Sequence, residues 1–124
     1  MNYGKKLMTE KSVPLNFTTY ILEQSLQKKQ VKTTIRSKRF IQKYGLKIGV
    51  RIEIKFHRKR IGFAIIKNIR LIGYDDLFNP EIIRNEGFTN PQDLLDTSKR
   101  YWKWEWKKIV EGHQIMYLIE FDWI

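Results

Sequence analysis

The segment VKTTIR, residues 31–36, decides the fold of this chain and raises the question of its function. Read as a β-strand, the segment turns alternate side chains to opposite faces. One face suits a hydrophobic core, while the other carries an amine, a hydroxyl and a guanidinium, from Lys32, Thr34 and Arg36. This polar face has three possible interpretations: a solvated edge, a contact with phosphates, or a reactive site.

The sequence on either side of this segment predicts a small α+β fold. Residues 46–57, LKIGVRIEIKFH, alternate apolar and polar side chains, and residues 61–73, IGFAIIKNIRLIG, begin apolar on both faces, which predicts a central or barrel strand. Two further strands are predicted at residues 13–17 and 114–124, and helices at residues 18–30 and 89–102, with a short helix inside the loop 74–88. We therefore expect a flexible N-terminal segment 1–12 and one domain 13–124, built on a curled sheet or barrel flanked by two or three helices.

Composition excludes several classes of protein. The chain of 124 residues has no cysteine, which removes disulfide frameworks, thiol nucleophiles and thiolate metal sites. No stretch approaches the roughly 20 apolar residues of a membrane span, so we expect no membrane partner and a cytoplasmic location. The two histidines stand alone and no cofactor fingerprint is present, so neither a metal nor a cofactor is expected.

The basic charge is concentrated in one region. The formal net charge is +11, but residues 28–70 contain 15 basic residues and one acid, a net charge of +14. Such a region attracts polyanions, with binding that weakens as salt rises; a solvated, lysine-rich surface is the alternative. Residues predicted to contact a nucleic acid, preferably RNA or a single strand because no recognition helix is evident, are Arg36, Lys38, Arg39, Arg51, Lys55, Arg58, Lys59, Arg60 and Trp104.

The tryptophans of YWKWEWKK, residues 101–108, allow two interpretations. In a strand, the three tryptophans would share one face and form a stacking platform. In a helix, Trp102 and Trp106 would join a buried stripe and Trp104 would face the other way. Because the segment continues a well-capped helix, the second interpretation is preferred, and Trp104 remains the candidate for a base or partner contact.

The order of several segments resembles the ASCH domain of the PUA-like superfamily. The matching segments are VKTTIR, KIGVRIEI, NEGFTNPQDL and MYLIEF, and the resemblance covers roughly residues 13–123. It implies a small β-barrel with a cleft between the strand of residues 31–36 and the loop that contains Glu86 and Gly87. Members bind RNA or coenzyme-like molecules, and small bacterial relatives are amidohydrolases that act on acetylated cytidine with a Lys, a Thr and a Glu.

Of these three catalytic residues, two have a matching residue in this sequence and the third does not. The Thr matches Thr34 and the Glu matches Glu86, but the position of the Lys, three residues before the Thr, is occupied by Val31, with Lys32 one residue later. If the site is catalytic, Lys32 would take the proton of Thr34 and Glu86 would protonate a leaving amine or orient water. If it is not, Thr34 is an ordinary strand residue, Lys32 a surface amine and Glu86 a partner of Arg36.

The +14 region decides between these functions, because a free nucleoside carries no phosphate that would require it. We therefore expect a domain that binds RNA or a modified nucleotide. The alternative is a small hydrolase of the same fold, either an amidohydrolase or a ribonuclease. A third interpretation is a DNA-associated or purely interaction protein.

Overall fold

The computed structural model describes residues 11–124, so most of the predicted flexible segment 1–12 lies outside the described residues. Within these residues, five strands form a single sheet. They are β1 (Val13–Phe17), β2 (Thr33–Ser37), β3 (Arg51–Phe56), β4 (Lys59–Ile72) and β5 (Met116–Trp123). The alternation seen in the sequence explains them, because β3 buries every second residue.

The strand order in the sheet is β1-β3-β4-β5-β2. Strands β1 and β3 pair in parallel, and the other three pairs are antiparallel. The long strand β4 lies in the centre, as its apolar sequence predicts, and shifts register between Ile66 and Asn68. The sheet curls into a half-barrel whose two edge strands approach each other, since Arg36 Nη2 on β2 donates to the carbonyl oxygen of Asn16 on β1 at 3.3 Å. The expected α+β class with a curled sheet is thus confirmed.

Five helices surround the sheet in the described part of the chain, more than the two or three expected. They are α1 (Glu23–Gln27), α2 (Lys38–Tyr44), α3 (Pro80–Asn85), α4 (Pro91–Tyr101) and α5 (Trp106–Val110), with 3₁₀ turns at Tyr20–Leu22 and Tyr74–Phe78. Helix α4 begins as predicted, because the Asn90 side chain accepts a hydrogen bond from the Gln92 N–H and Pro91 occupies the first turn.

Helix α2 was not predicted. Ser37 caps it by accepting a hydrogen bond from the Phe40 N–H, and Gly45 ends it in a left-handed conformation with φ of 60°. Lys38 and Arg39, expected at the exit of a strand, therefore lie in the first turn of this helix, where both side chains are exposed.

The hairpin between β3 and β4 turns one residue earlier than expected. His57 and Arg58 both have positive φ, of 48° and 70°, whereas Lys59 and Arg60 already belong to β4. Two adjacent residues in this conformation form the tight type of turn that matches the twist of a two-stranded ribbon.

The tryptophan segment does not form one continuous helix. Residues 102–105 make a turn that separates α4 from α5. The burial nevertheless follows the helical interpretation, because Trp102 is buried, Trp106 packs against the core and Trp104 is 85% exposed. The stacking platform of three tryptophans is therefore wrong.

Packing of the helices against the concave face of the sheet forms the core. Fully buried side chains come from the sheet and the helices, among them Leu15, Leu26, Ile54, Leu94 and Phe121. Within residues 11–124, no helix has both the length and the apolar character needed to cross a membrane.

Candidate functional site

A cavity of about 120 Å³ lies at the gap between the two edge strands of the half-barrel. Strand β1 contributes Asn16 and Phe17, strand β2 contributes Thr34 and Arg36, and the loop after α3 contributes Glu86. Helix α4 covers the opposite side. This is the cleft that the sequence resemblance implies, and it brings Thr34 and Glu86 into one cavity.

Glu86 is the buried carboxyl group of this cavity, with an exposed fraction of 7%. Its Oε2 accepts a hydrogen bond of 2.5 Å from Thr33 Oγ1. Burial raises the pKa of Glu86 to about 7, although the hydrogen bond from Thr33 and the charge of Arg36 both act to lower it. The side chain can therefore accept or donate a hydrogen bond near neutral pH, because its two protonation states are then similarly populated.

The Arg36 guanidinium forms the second charged wall of the cavity. Its Nε donates to Thr34 Oγ1 at 3.0 Å, and its Cζ lies 5.3 Å from the ring centroid of Phe17 and 4.9 Å from that of Phe40. Burial lowers the pKa of Arg36, although Tyr101 and Glu86 act to raise it. Arg36 thus forms hydrogen bonds to Thr34 and to the β1 backbone. The hydrogen bond to Glu86 comes instead from Thr33, which was not among the site residues predicted from the sequence.

Aromatic and hydroxyl side chains form the rest of the cavity wall. The aromatic side chains are Phe17, Phe88, Tyr101 and Trp102, and Thr97 and Ser98 of helix α4 add hydroxyl groups. Tyr101 is 57% exposed and marks the side open to solvent. Apolar walls with a few convergent polar groups are typical of sites that bind small molecules or single bases.

Close packing behind Gly87 fixes the position of Glu86. Gly87 has φ of +96°, and a Cβ added there would lie 2.7 Å from Val31 Cγ2. The Gly87 carbonyl accepts a hydrogen bond of 2.9 Å from Ser25 Oγ on helix α1. Only glycine fits both the backbone conformation and the space, so this residue determines where the preceding carboxylate points.

Lys32 lies outside the cavity. It is exposed and lines a separate hollow, of about 430 Å³, on the other side of the loop that carries Glu86. Strand β2 begins only at Thr33, and the Lys32 N–H donates instead to the Asn85 carbonyl at 2.7 Å. No lysine or histidine is among the described residues that line the cavity.

The remaining basic residues predicted to contact nucleic acid lie on the β3–β4 hairpin. Arg51 and Arg60 contact the Phe63 ring, with their Cζ atoms 4.5 Å and 4.9 Å from its centroid. Arg60 also pairs with Glu53 at 2.6 Å, and Lys55 lies 3.8 Å from the same carboxylate. Arg58 and Lys59 are exposed at the turn. These side chains do not line the cavity.

Comparison with known proteins supports the fold through structure alone. No protein-family model matches the sequence, and no curated protein matches it either. Several solved structures share the fold. An ASCH domain from Lactobacillus crispatus JV V101 has a TM-score of 0.61 and 9% identity, covering 96% of this chain and 84% of that one.

Two further structures agree with it. The hypothetical protein PH0355 has a TM-score of 0.60 and 16% identity, covering 92% of this chain and 100% of that one. Protein EF3133 from Enterococcus faecalis V583, of the DUF984 family, has a TM-score of 0.59 and 13% identity, and the match covers 92% of this chain and 76% of that one. The chain therefore has the fold of an ASCH-type, PUA-like domain, as its segment order predicted.

Among residues 11–124, no three His, Asp or Glu side chains come together in a group that could hold a metal ion. The chemistry available in the cavity is that of one carboxyl group, one guanidinium and several hydroxyl groups beside aromatic rings.

Proposed function

We propose that this domain binds single-stranded RNA and takes one pyrimidine base into the cavity between β1 and β2. The observation that carries the proposal is the buried carboxyl group of Glu86 in a cavity with aromatic walls. Proteins that read unpaired RNA bases stack them on aromatic side chains and form hydrogen bonds to their Watson–Crick edges.

The size of the cavity supports a single-ring base. An engineered cavity of about 150 Å³ in another protein holds one benzene ring, and the cavity here, of about 120 Å³, is slightly smaller and open at Tyr101. A single pyrimidine ring matches such a space more closely than a two-ring purine does. Around the base, Glu86, Thr34 and Arg36 supply both donors and acceptors.

The charge of the chain supports a polymer in preference to a free base. Residues 28–70 have a net charge of +14, and they include the exposed Arg58 and Lys59 on the hairpin turn and Arg39 on α2. Contacts from such side chains hold a phosphate backbone without reading its sequence, whereas the cavity supplies selectivity. The ASCH-type fold is consistent with this, since the family resemblance implies RNA as a ligand.

Fluorescence anisotropy with labelled nine-nucleotide RNAs tests the proposal. The RNAs are oligoadenylate, the same chain with one central pyrimidine, and that chain with an abasic residue at its centre. We expect the pyrimidine chain to bind about 5- to 150-fold more tightly than the other two, as one stacked base contributes about 1–3 kcal/mol. Equal binding of all three, or equal competition by heparin, would contradict the proposal, and the matching DNA chains show whether the sugar matters.

A pair of variants localises the effect. Ser98→Leu fills the cavity from α4, because Ser98 is buried and lines it, whereas Gln92→Leu introduces the same leucine side chain on the exposed first turn of the same helix. We expect the preference for the pyrimidine chain to disappear in Ser98→Leu and to persist in Gln92→Leu. Thr34→Val preserves the cavity volume but removes a hydroxyl group, so it reports the hydrogen-bonding contribution separately.

A second candidate, a small hydrolase, is favoured by the pKa of about 7 at Glu86, which suits a general acid or base near neutral pH. On acetylated cytidine, water would cleave the amide bond to give acetate and cytidine, with Glu86 moving the proton. Incubation of the purified protein with acetylated cytidine, and with labelled RNA to detect ribonuclease activity, tests it. Product that forms in the wild type and is lost in Glu86→Gln would support this candidate, and intact substrates would reject it.

The position of Lys32 matters for this second candidate. A mechanism that uses Lys32 as the base for Thr34 predicts that Lys32→Gln abolishes product formation. Because Lys32 is exposed and lines the other hollow, we expect any hydrolysis to persist in that variant.

A further inference from the structure

The hollow that contains Lys32 has the character of an anion site. Of the described residues that line it, Lys29, Lys32 and Arg84 are cationic and none is acidic. None of these three forms an ion pair with another residue of the described part of the chain. Three cations on one concave surface create a local positive potential that only an anion or solvent can neutralise.

Hydrogen bonds between the segments that form this hollow fix its shape. The backbone of Lys32 is fixed on both sides, because its N–H donates to the Asn85 carbonyl at 2.7 Å and its carbonyl accepts from the Phe121 N–H at 3.0 Å. Helix α1 is joined to the same loop through the bond from Ser25 Oγ to the Gly87 carbonyl. The cations are therefore carried by a preorganised backbone.

Lys29 adds an independent observation. Its backbone has φ of 56°, a conformation in which glycine or asparagine is more common, and its Nζ lies 5.7 Å from the ring centroid of Trp123. A lysine therefore lines the hollow at a position where glycine or asparagine would be less strained.

The hollow and the cavity share one wall. Phe88 lines both of them. Of the two residues before it, Glu86 lines the cavity and Gly87 lines the hollow. We infer that the hollow lined by Lys29, Lys32 and Arg84 binds a phosphate group, and that this phosphate belongs to the RNA chain whose base occupies the cavity. The second part of this inference rests on the proposed function, and the first part does not.

The first experiment uses inorganic phosphate as the probe. Titration of the isotope-labelled protein, followed by amide chemical shifts at constant ionic strength, should move the signals of residues 29–32 and 84–89. The triple variant Lys29→Gln, Lys32→Gln, Arg84→Gln should lose these shifts. A matched triple variant, Lys99→Gln, Arg100→Gln, Lys103→Gln, removes the same charge from a hollow that contains Asp96 and is formed by α4 and the turn after it. This variant, the α4 control, should keep the shifts.

Persistence of the shifts in the first triple variant, or their loss in both, would overturn the inference. Circular dichroism confirms that both variants fold. Lys32→Arg, tested beside Lys32→Gln as a single substitution, retains the cation and should keep the shifts that Lys32→Gln weakens.

The second experiment measures how RNA affinity depends on salt. On a single strand, the slope of log affinity against log salt falls in magnitude by about 0.7 for each phosphate that the protein no longer neutralises. The first triple variant should reduce the slope by at least that amount relative to the α4 control, and Ser98→Leu should leave the slope unchanged while it removes base preference.

The two claims can fail separately. If RNA binds with base preference but the first triple variant and the α4 control have the same slope, the phosphate contact is refuted and the proposed function stands. If phosphate shifts the signals of the hollow but the three RNAs bind equally, the hollow stands and the base cavity is refuted.

Discussion

Replacement of Glu86 by glutamine should reveal how much the buried carboxyl group destabilises the folded protein. Glutamine has nearly the shape of the protonated acid, retains an oxygen that accepts from Thr33 Oγ1, and cannot ionise. The pKa of Glu86 is raised from 4.5 to about 7 by burial. The folded state therefore binds a proton more tightly than the unfolded state does, so this group lowers stability as pH rises between those two values.

The magnitude follows from the two pKa values. The difference between 4.5 and about 7, at about 1.4 kcal/mol per pKa unit, corresponds to about 3 kcal/mol. Below pH 4.5 the acid is protonated in both states, and the effect of the substitution should be small. Above pH 7 the Glu86→Gln protein should be more stable than the wild type by about 3 kcal/mol, because the wild type must then hold a buried charge.

Urea unfolding, followed by circular dichroism from pH 4.5 to 8, measures this difference directly. Groups shared by the two proteins largely cancel, and Glu111→Gln, on an exposed turn, measures the contribution of the net-charge change alone. A stability difference that stays constant across this pH range would refute the reasoning, as would a wild-type protein that becomes more stable relative to Glu86→Gln as pH rises.

Three further predictions concern the fold. Gly87→Ala should destabilise the folded protein by about 2–4 kcal/mol, because it adds a close contact with Val31 to a strained backbone. Gly112→Ala should cost only about 1 kcal/mol, because Gly112 has φ of +106° but open space around it. Similar losses of stability at the two positions would contradict a role for the contact with Val31. Ser37→Ala should cost about 0.5–2 kcal/mol by removing the cap of α2, visible as a lower unfolding midpoint, and an unchanged midpoint would mean that the cap contributes nothing. Trp102→Ala should cost about 3–5 kcal/mol because the side chain is buried, while Trp104→Ala should leave stability almost unchanged; the reverse order in thermal unfolding would contradict the assigned burial.

The strands could be predicted from the sequence because alternation in β3 and the apolar character of β4 are local properties. Helix α2 is different, because its seven residues are too few to show a clear helical period and its basic residues suggest a phosphate contact instead. The boundary signals, a serine at position 37 and a glycine at position 45 with no proline between them, could have identified it.

For the candidate site, the sequence indicated two of the residues that line the cavity but not the contacts between them. Thr34 and Glu86 came from the order of sequence segments, and the structure brings both into one cavity. The contact of Thr33 with Glu86 could not be predicted, because it depends on how a loop 53 residues later packs against the strand. Lys32 was predicted to share a face with Thr34 because side chains alternate along a strand. The strand begins only at Thr33, so this alternation does not determine the direction of the Lys32 side chain.

The gap between β1 and β2 has a consequence for motion. These two edge strands are joined across the gap by the Arg36 side chain, not by a ladder of backbone bonds. Separation of the two strands breaks a few side-chain contacts and leaves every strand pairing intact. The half-barrel can therefore open locally at this gap without global unfolding. The amide hydrogen of Asn16, which lies on the same edge of β1 as the carbonyl that accepts from Arg36, should then exchange with solvent sooner than those of the central strand β4.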